Sequence, residues 1–397
     1  VVAVTPVDLT AAADPEMSHV VILREPTFLV PFLSALSASS DPAIPSETII
    51  VVAPTSGLAD EVRSMARGVR VVECPIDLGT AAAWNLAVEA AKAPVIALLH
   101  EDTLVARGWE RTRELLSDTI GVVGPRLLNS DRSLQCTGWI VFRDGRCAPV
   151  DDRVALTTND VWRTNDCLDV DLVSSACMFF ATDTWRRVGG FDERYFPAVG
   201  VDVDFCLAVR SSGLRVVCSD LVDVVHASGA MMRPDRVDGD QAVRTFLIWQ
   251  NHSILGRQWV PVLERRPPFP ASDDELREAA ARYWDESLFD VHGAADGPRV
   301  PDRSITGGER LIDDGIPDGV SFRAANRRTE VLEDCIAWMA RDLDQQGDDG
   351  GKAAAEQVWA DSERDRARLA AIECSRTWRA RNAVVRLLPD RWRVGRG

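Results

Sequence analysis

Four short apolar runs, at residues 19–23, 48–53, 69–73 and 94–99, alternate with amphipathic or Ala-rich stretches at 27–37, 58–67 and 81–92. Short continuous apolar runs predict strands buried on both faces, and the longer stretches between them predict helices. Strand and helix alternating in this way predict an α/β fold, a mostly parallel sheet with right-handed crossovers. Such sheets bind ligands beyond the carboxyl ends of their strands. Those ends carry Arg24-Glu25, Ala53-Pro54-Thr55-Ser56, Pro75-Ile76-Asp77 and His100-Glu101-Asp102.

Further along, 121–127 reads as a strand and turn, and 133–141 with 145–146 as a strand pair around Arg143-Asp144-Gly145, where Asp-Gly signals a hairpin. Residues 148–168 are polar and irregular, a loop expected over the site, and 170–181 returns to buried-strand character. Gly189-Gly190 suits a tight turn with positive φ. Asp202 and Asp204 stand just ahead of a helix at 205–210 that Gly213 stops, followed by strands at 214–217 and 222–225 with His226 at the end. A helix is expected over 240–255, continuing to Trp259, for which plain packing is the expectation, as for Trp249.

From Pro261 the composition changes. Residues 267–270 read as a linker, 275–288 as a helix, 291–320 as loop, 330–345 as an amphipathic helix, 346–351 as a break and 353–381 as one long helix. The chain thus divides into a weak leader (1–18), an α/β domain (19–260) and a mainly helical C-terminal extension (261–397) with flexible linkers and a basic tail.

Of the 397 residues 46% are hydrophobic and 27% charged, which suits a sizeable core. A net charge of −16 argues against a nucleic-acid binder. The charge is uneven: 363–397 holds ten Arg against four acids. A basic tail on an acidic body points to an anionic partner such as a membrane face, or else to a solvated helix whose arginines pair with the body. Nine scattered cysteines without a C-x-x-C pair argue against a zinc knuckle and a disulfide framework. With no membrane-length apolar run and no secretory pattern, the expectation is a cytoplasmic protein, at most peripheral to the inner face of the membrane.

His226 ends one strand and His100-Glu101-Asp102 follows another; a divalent cation held by carboxylate and imidazole acts as a Lewis acid. Imidazole ligands favour Mn²⁺ over Mg²⁺. The plainer readings are that Asp102 caps the following helix, that Asp202 is an N-cap, and that His226 is a hydrogen-bonded rim residue. Cys177 lacks a His motif to activate it and reads as core.

The stretch Val188-Gly189-Gly190-Phe191-Asp192-Glu193-Arg194-Tyr195-Phe196, the acidic pair at 202 and 204, Gly213 and His226-Ala227-Ser228-Gly229 together resemble the family 2 glycosyltransferases, particularly the rhamnosyltransferase-like branch. The resemblance covers roughly 19–260 and implies a GT-A (Rossmann-like) fold with one nucleotide-sugar site. It implies inverting transfer from a nucleoside-diphosphate sugar to a hydroxyl of a glycan, lipid-linked or other acceptor. In that reading Asp202 is the general base and Asp204 orients it or approaches the acceptor. Asp102, His226 and His100 hold Mn²⁺ or Mg²⁺. His100-Glu101-Asp102 takes the place of the family's D-x-D-type motif, making Glu101 and Asp102 donor-binding candidates. Asp77, Gly79 and Asn85 follow the family's loop-and-helix pattern beside ribose and diphosphate.

Three departures stand out: Val201 and His100 replace family acids, and Ala53-Pro54-Thr55 lacks the carboxylate that usually meets the base. The last leaves Thr55 or Ser56 as base contacts, or donor binding weak or absent. Two alternatives therefore stay open, a catalytically silent binding or scaffold domain and a metal-independent transferase. The C-terminal helices also suggest packing across a homodimer.

Overall fold

The computed structural model describes residues 6–55, 57–150, 167–227, 241–285, 316 and 318–346. In chain order the first elements are β1 (Val7–Asp8), β2 (Met17–Leu23), α1 (Pro26–Ser39), β3 (Ser46–Val52), α2 (Leu58–Met65), β4 (Ala66–Arg67) and β5 (Val69–Glu73). Next come α3 (Gly79–Ala90), β6 (Val95–His100), β7 (Thr103–Leu104), a 3-10 turn at Trp109–Leu115, β8 (Ile120–Leu128) and β9 (Leu134–Cys136). A hairpin of β10 (Trp139–Val141) and β11 (Cys147–Pro149) precedes β12 (Cys167–Asp169), β13 (Cys177–Ala181), α4 (Thr182–Val188), α5 (Val201–Ser211) and β14 (Arg215–His226). The chain continues through α6 (Gln241–Gln258), α7 (Val260–Leu263), α8 (Asp273–Asp285) and α9 (Asp318–Gln346).

Ten strands form one sheet with the order β12-β14-β8-β13-β6-β2-β3-β5, β7 pairing with β14 and β9 with β8. The four strands β6, β2, β3 and β5 run parallel, as the alternating sequence pattern predicts. Beyond β6 the sheet is mixed: β13 is antiparallel to β6 and β8, while β14 runs parallel to β8. The runs in β2, β3 and β6 are covered on both faces, whereas β5 at the sheet edge is only partly buried and carries Arg70 and Glu73. In β2, Val20 and Ile22 enter the core beneath α3 and α5, whereas Met17, Val21 and Leu23 enter the core beneath α1 and α2. A fully buried Val, Leu or Ile contributes about 1.5–3 kcal/mol, so this two-sided burial is the main source of cohesion.

Several elements differ from expectation. The leader is tied down: β1 pairs in parallel with β4, and β2 begins at Met17. The two short strands ending at His226 are one twelve-residue strand. Its centre, Asp220-Leu221-Val222, is absorbed by a register shift between Ser219 and Asp223 rather than by a break. The run at 170–181 is not one strand; only Cys177–Ala181 is, and near its start Asp171 is a buried carboxylate bonded to the hairpin. The expected linker at 267–270 packs on the hairpin, with Phe142 and Phe269 rings 5.2 Å apart and the Arg146 guanidinium 3.8 Å over Phe269. Helix α9 starts at Asp318 and contributes Val320, Ala324 and Ala325 to the core on the α3 side of the sheet. Trp259 is buried as expected, while Trp249 is exposed.

Cys177 is buried with its thiol pushed up by burial, as a packing residue should be. Among the described residues the cysteines are unpaired, and no helix is long and apolar enough to cross a membrane. The loop expected over 148–168 begins and ends in β11 and β12, and its residues 151–166, like Ser56, the helix at 353–381 and the basic tail, lie outside the described residues.

Candidate functional site

The carboxyl ends of β6 and β14 meet through a two-residue ladder. Strand β7 pairs antiparallel with β14, setting His226 opposite Thr103, and the Ala227 N–H donates to the Asp102 carbonyl at 2.9 Å. This pairing brings two histidines 126 positions apart into ring contact, with centroids 5.4 Å apart. One ligating atom from each of His100, Asp102 and His226 lies within 4.8 Å of the others. His226 Nε2 is 3.2 Å from Asp102 Oδ1, and His226 Nδ1 is 2.9 Å from Gln135 Oε1. An amide oxygen can only accept, so Nδ1 carries a proton, and Nε2 meets the carboxylate oxygen with a cation or a proton shared between the two atoms.

His100 completes the group. Burial, and then the neighbouring His226, push its pKa down to about 3, so its ring is neutral and able to ligate. Nitrogen and carboxylate donors in this combination suit Mn²⁺ better than Mg²⁺. Gln135 holds His226 as outer partners of metal-bound histidines do. The residues present fit a divalent cation, and Asp102 does not cap a helix: it is followed directly by β7.

Asp202 stands across from this group. Gly200 (φ +91°) starts α5 without a side-chain cap, which corrects both the N-cap reading and the expectation that the acids precede the helix. Asp202 lies in the first turn, its Oδ1 accepting from the Val203 N–H at 3.0 Å and its Oδ2 from the Ser175 hydroxyl at 3.3 Å. The same hydroxyl is 3.1 Å from His100 Nε2. Ser175 has one proton; given to Asp202, it leaves the serine oxygen to accept from His100 Nε2–H and frees Nδ1 for a metal. Burial raises the Asp202 pKa above the ordinary carboxylate value.

The other predicted residues take different places. Asp204 is fully buried and turned away from Asp202, its Oδ1 accepting from Gln258 Nε2 and Trp259 Nε1, each at 2.8 Å. These bonds anchor the end of α6. Glu101 Oε2 accepts from the Arg24 and Glu25 N–H groups at 2.5 and 2.9 Å, so it shapes the β2–α1 turn. Asp77 Oδ1 accepts from the Gly79 N–H at 2.9 Å, and Oδ2 faces Arg328 of α9 at 3.5 Å. Gly79 (φ +71°) has the Phe196 ring where a Cβ would stand, 2.7 Å away, so only glycine allows this approach. Thr55 is exposed on the loop after β3.

Asn85 is neither an exposed helix residue nor directed at a ligand. It is 2% exposed, its Oδ1 accepting from the Phe191 N–H (2.8 Å) and Trp185 Nε1 (3.2 Å) and its Nδ2 donating to Phe191 O (2.8 Å) and Glu193 Oε1 (3.2 Å). The side chain is saturated by the loop that follows the Gly189-Gly190 turn, where both glycines have positive φ as predicted. A Cβ on Gly190 would sit 2.9 Å from Asn85 Oδ1. Asn85→Ala therefore orphans buried donors and should cost about 2–3 kcal/mol. Urea denaturation checks this, and a loss under about 0.5 kcal/mol would refute the clamp.

Sequence reasoning missed Arg24 as a site residue, along with Ser175, Gln135 and Trp139. Arg24 donates to Thr80 Oγ1 at 3.0 Å and lines a narrow cleft with Trp84, His100 and Asp102. Its position at a strand carboxyl end was the available signal. Gln135 gave none, since its nearness to His226 depends on β9 folding back on β8. A larger cavity of about 410 Å³ opens beside Asp202 and Ser175, walled by Trp84, Trp139 and one side of α6.

No family model matches the chain. Over 165 residues it is 28% identical to the O-antigen biosynthesis protein RfbC of Myxococcus xanthus, a match that covers 38% of this chain and 12% of that protein. The chain thus corresponds to a small part of the curated relative it matches. Among solved structures, GalNAc-T7 with UDP, GalNAc and Mn²⁺ aligns over 72% of this chain and 59% of that one, with a TM-score of 0.47 and 12% identity. The mannosyltransferase PcManGT of Pyrobaculum calidifontis, in complex with GDP-Man and Mn²⁺, aligns over 93% and 90%, with a TM-score of 0.43 and 15% identity.

Proposed function

We propose that the chain is an inverting GT-A glycosyltransferase of the family 2 type, moving a sugar from a nucleoside-diphosphate donor to a hydroxyl acceptor. The observation that carries this reading is the bridge through Ser175, which joins a three-residue ligand group to a buried carboxylate of raised pKa at the edge of one cavity. Glycosyl transfer needs both features close together, one for the departing diphosphate and one for the incoming hydroxyl.

Asp202 takes the proton of the acceptor hydroxyl as the oxygen forms its bond to the anomeric carbon. The bond from that carbon to the diphosphate oxygen breaks, and its electron pair leaves with the nucleoside diphosphate. Attack from the face opposite the leaving group inverts the anomeric centre. His100, Asp102 and His226 would hold a divalent ion, which supplies Lewis-acid stabilisation of the diphosphate when bound. Arg24, at the cleft beside them, adds positive charge on the same side. Ser175 keeps Asp202 pointed at the cavity.

Calorimetric titration of UDP, GDP, dTDP and CDP, each with Mn²⁺ and again with chelator, tests the proposal. One nucleotide should bind only with metal, and Asp102→Ala should weaken it at least tenfold. Binding that survives chelation would replace the metal with Arg24 as the main diphosphate partner. Absence of binding by all four would overturn the enzyme reading in favour of a silent domain.

A further inference from the structure

The cavity beside Asp202 has a volume of about 410 Å³, within the range that takes a compact organic molecule. On α6 its wall is formed by Ile248, Asn251, His252 and Leu255, spaced three, four and seven residues apart as one helical face. The hairpin contributes Trp139, Gly145 and Cys147, and the stretch before α5 contributes Ala198 and Val199. Leu172 lies on the same wall.

Polar groups are unevenly distributed around this space. At one edge stand Ser174, Ser175, His100 and Asp202. On the α6 side the polar atoms are largely committed to the protein. Asn251 Nδ2 donates to Val199 O at 2.8 Å, and His252 Nε2 donates to Gly145 O at 3.1 Å. Asn251 Oδ1 is buried and has no hydrogen-bond partner among the described residues. Between these two edges the described residues present aliphatic side chains and the indoles of Trp84 and Trp139, whose buried N–H groups have no hydrogen-bond partner, and Thr80, whose Oγ1 accepts from Arg24.

Resting on the glycosyltransferase reading, we infer that the acceptor is a compact apolar alcohol or phenol, presenting its hydroxyl to Asp202, and not an oligosaccharide. A sugar unit entering the cavity would bury hydroxyls against Leu172, Ile248 and Leu255, none of which can accept or donate. Each buried hydroxyl left unpaired costs roughly tenfold in affinity or more. An apolar body exchanges water for these walls with gain, and the two flanking indoles suit a flat ring. The transfer itself is that given above: the phenol or alcohol O–H proton passes to Asp202, and its oxygen replaces the diphosphate oxygen on the anomeric carbon.

The test uses the full chain, with saturating Mn²⁺ and whichever nucleoside diphosphate binds, or without them if none does. The probes are 2-naphthol and maltotriose, titrated at equal concentrations and followed by calorimetry and tryptophan fluorescence. 2-Naphthol should bind at least tenfold more tightly than maltotriose. Ile248→Trp, which fills the cavity from α6, should weaken 2-naphthol at least tenfold while leaving nucleotide binding within twofold. Ala198→Leu, a milder change on the opposite wall, should act in the same direction and guards against misfolding of the first variant. Maltotriose binding as well as 2-naphthol, no 2-naphthol binding, or 2-naphthol affinity unmoved by both substitutions would overturn the inference. Failure of the nucleotide titration alone would overturn the enzyme reading, so the two failures are read on separate ligands.

Discussion

Asp202→Asn lowers transfer turnover by about 10²–10⁴-fold, the usual contribution of a general base, and leaves nucleotide binding within about threefold. The asparagine oxygen can still accept from the Val203 N–H or the Ser175 hydroxyl, so the first turn of α5 keeps its shape. What is lost is the ability to take a proton. In the unchanged protein the active form is the carboxylate, and burial raises its pKa above the ordinary aspartate value of about 3.9. Turnover should therefore fall as pH drops through that raised value, and the residual activity of the variant should lack this acid limb.

The stability effect has the opposite sign. A carboxyl whose folded pKa is raised holds its proton more tightly in the native state than in the unfolded chain. Its contribution is favourable below the unfolded value and is lost as pH rises through the folded value. Removing the charge should leave stability at neutral pH unchanged or slightly higher. A variant that is inactive yet at least as stable is the signature of a group held in place for chemistry. Loss of activity together with stability would instead assign Asp202 to the scaffold, and full activity would remove it as the base.

Asp171→Ala destabilises the fold by about 3–5 kcal/mol, the cost of leaving a buried partner charge uncompensated. Asp171 is fully buried, with Arg266 Nη2 at 2.7 Å and Arg210 Nε at 3.7 Å from its Oδ1, while its Oδ2 accepts from the Val141 N–H at 2.9 Å. Both guanidiniums are themselves only 6% exposed. One carboxylate thereby ties the hairpin, the end of α5 and the segment after α7 to a single point. Urea denaturation with the slope checked for a common unfolded state measures the loss. Asp171→Asn, which keeps an acceptor for Val141 but not the charge, should recover only a minor part. A cost below about 1 kcal/mol in both would mean that water reaches the two arginines.

The parallel half of the sheet was legible because its strands are local, continuous apolar runs separated by helices, and β2, β3, β5 and β6 lie within two residues of where the pattern puts them. The grouping of His100, Asp102 and His226 was legible for a different reason: the resemblance to family 2 glycosyltransferases singled out these positions, and the structure brings one ligating atom of each within 4.8 Å of the others. The mixed half was less so. Nothing in the order of residues says that a buried Asp171 will interrupt an apolar run, since its partners Arg210 and Arg266 are 39 and 95 positions away. Asp204, Asn85 and Glu101 were legible as important and misread in role. A polar residue next to a catalytic motif has the same letters whether it faces a ligand or the backbone of a loop, and only the third dimension separates the two.

The saturated amide of Asn85 bears on how such chains diverge. The Gly-Gly-Phe-Asp-Glu stretch is held by a side chain it also shields, and Asp192 and Asp204 fasten it to α6 through Arg194, Gln258 and Trp259. Changing those letters is penalised by unfolding, whether or not the protein still turns over substrate. Changing Asp202 is penalised only while catalysis is under selection. A lineage released from that pressure would discard residue 202 early and keep the surrounding signature, so the stretch that makes such a chain recognisable records foldability, and the single carboxylate beside it records activity.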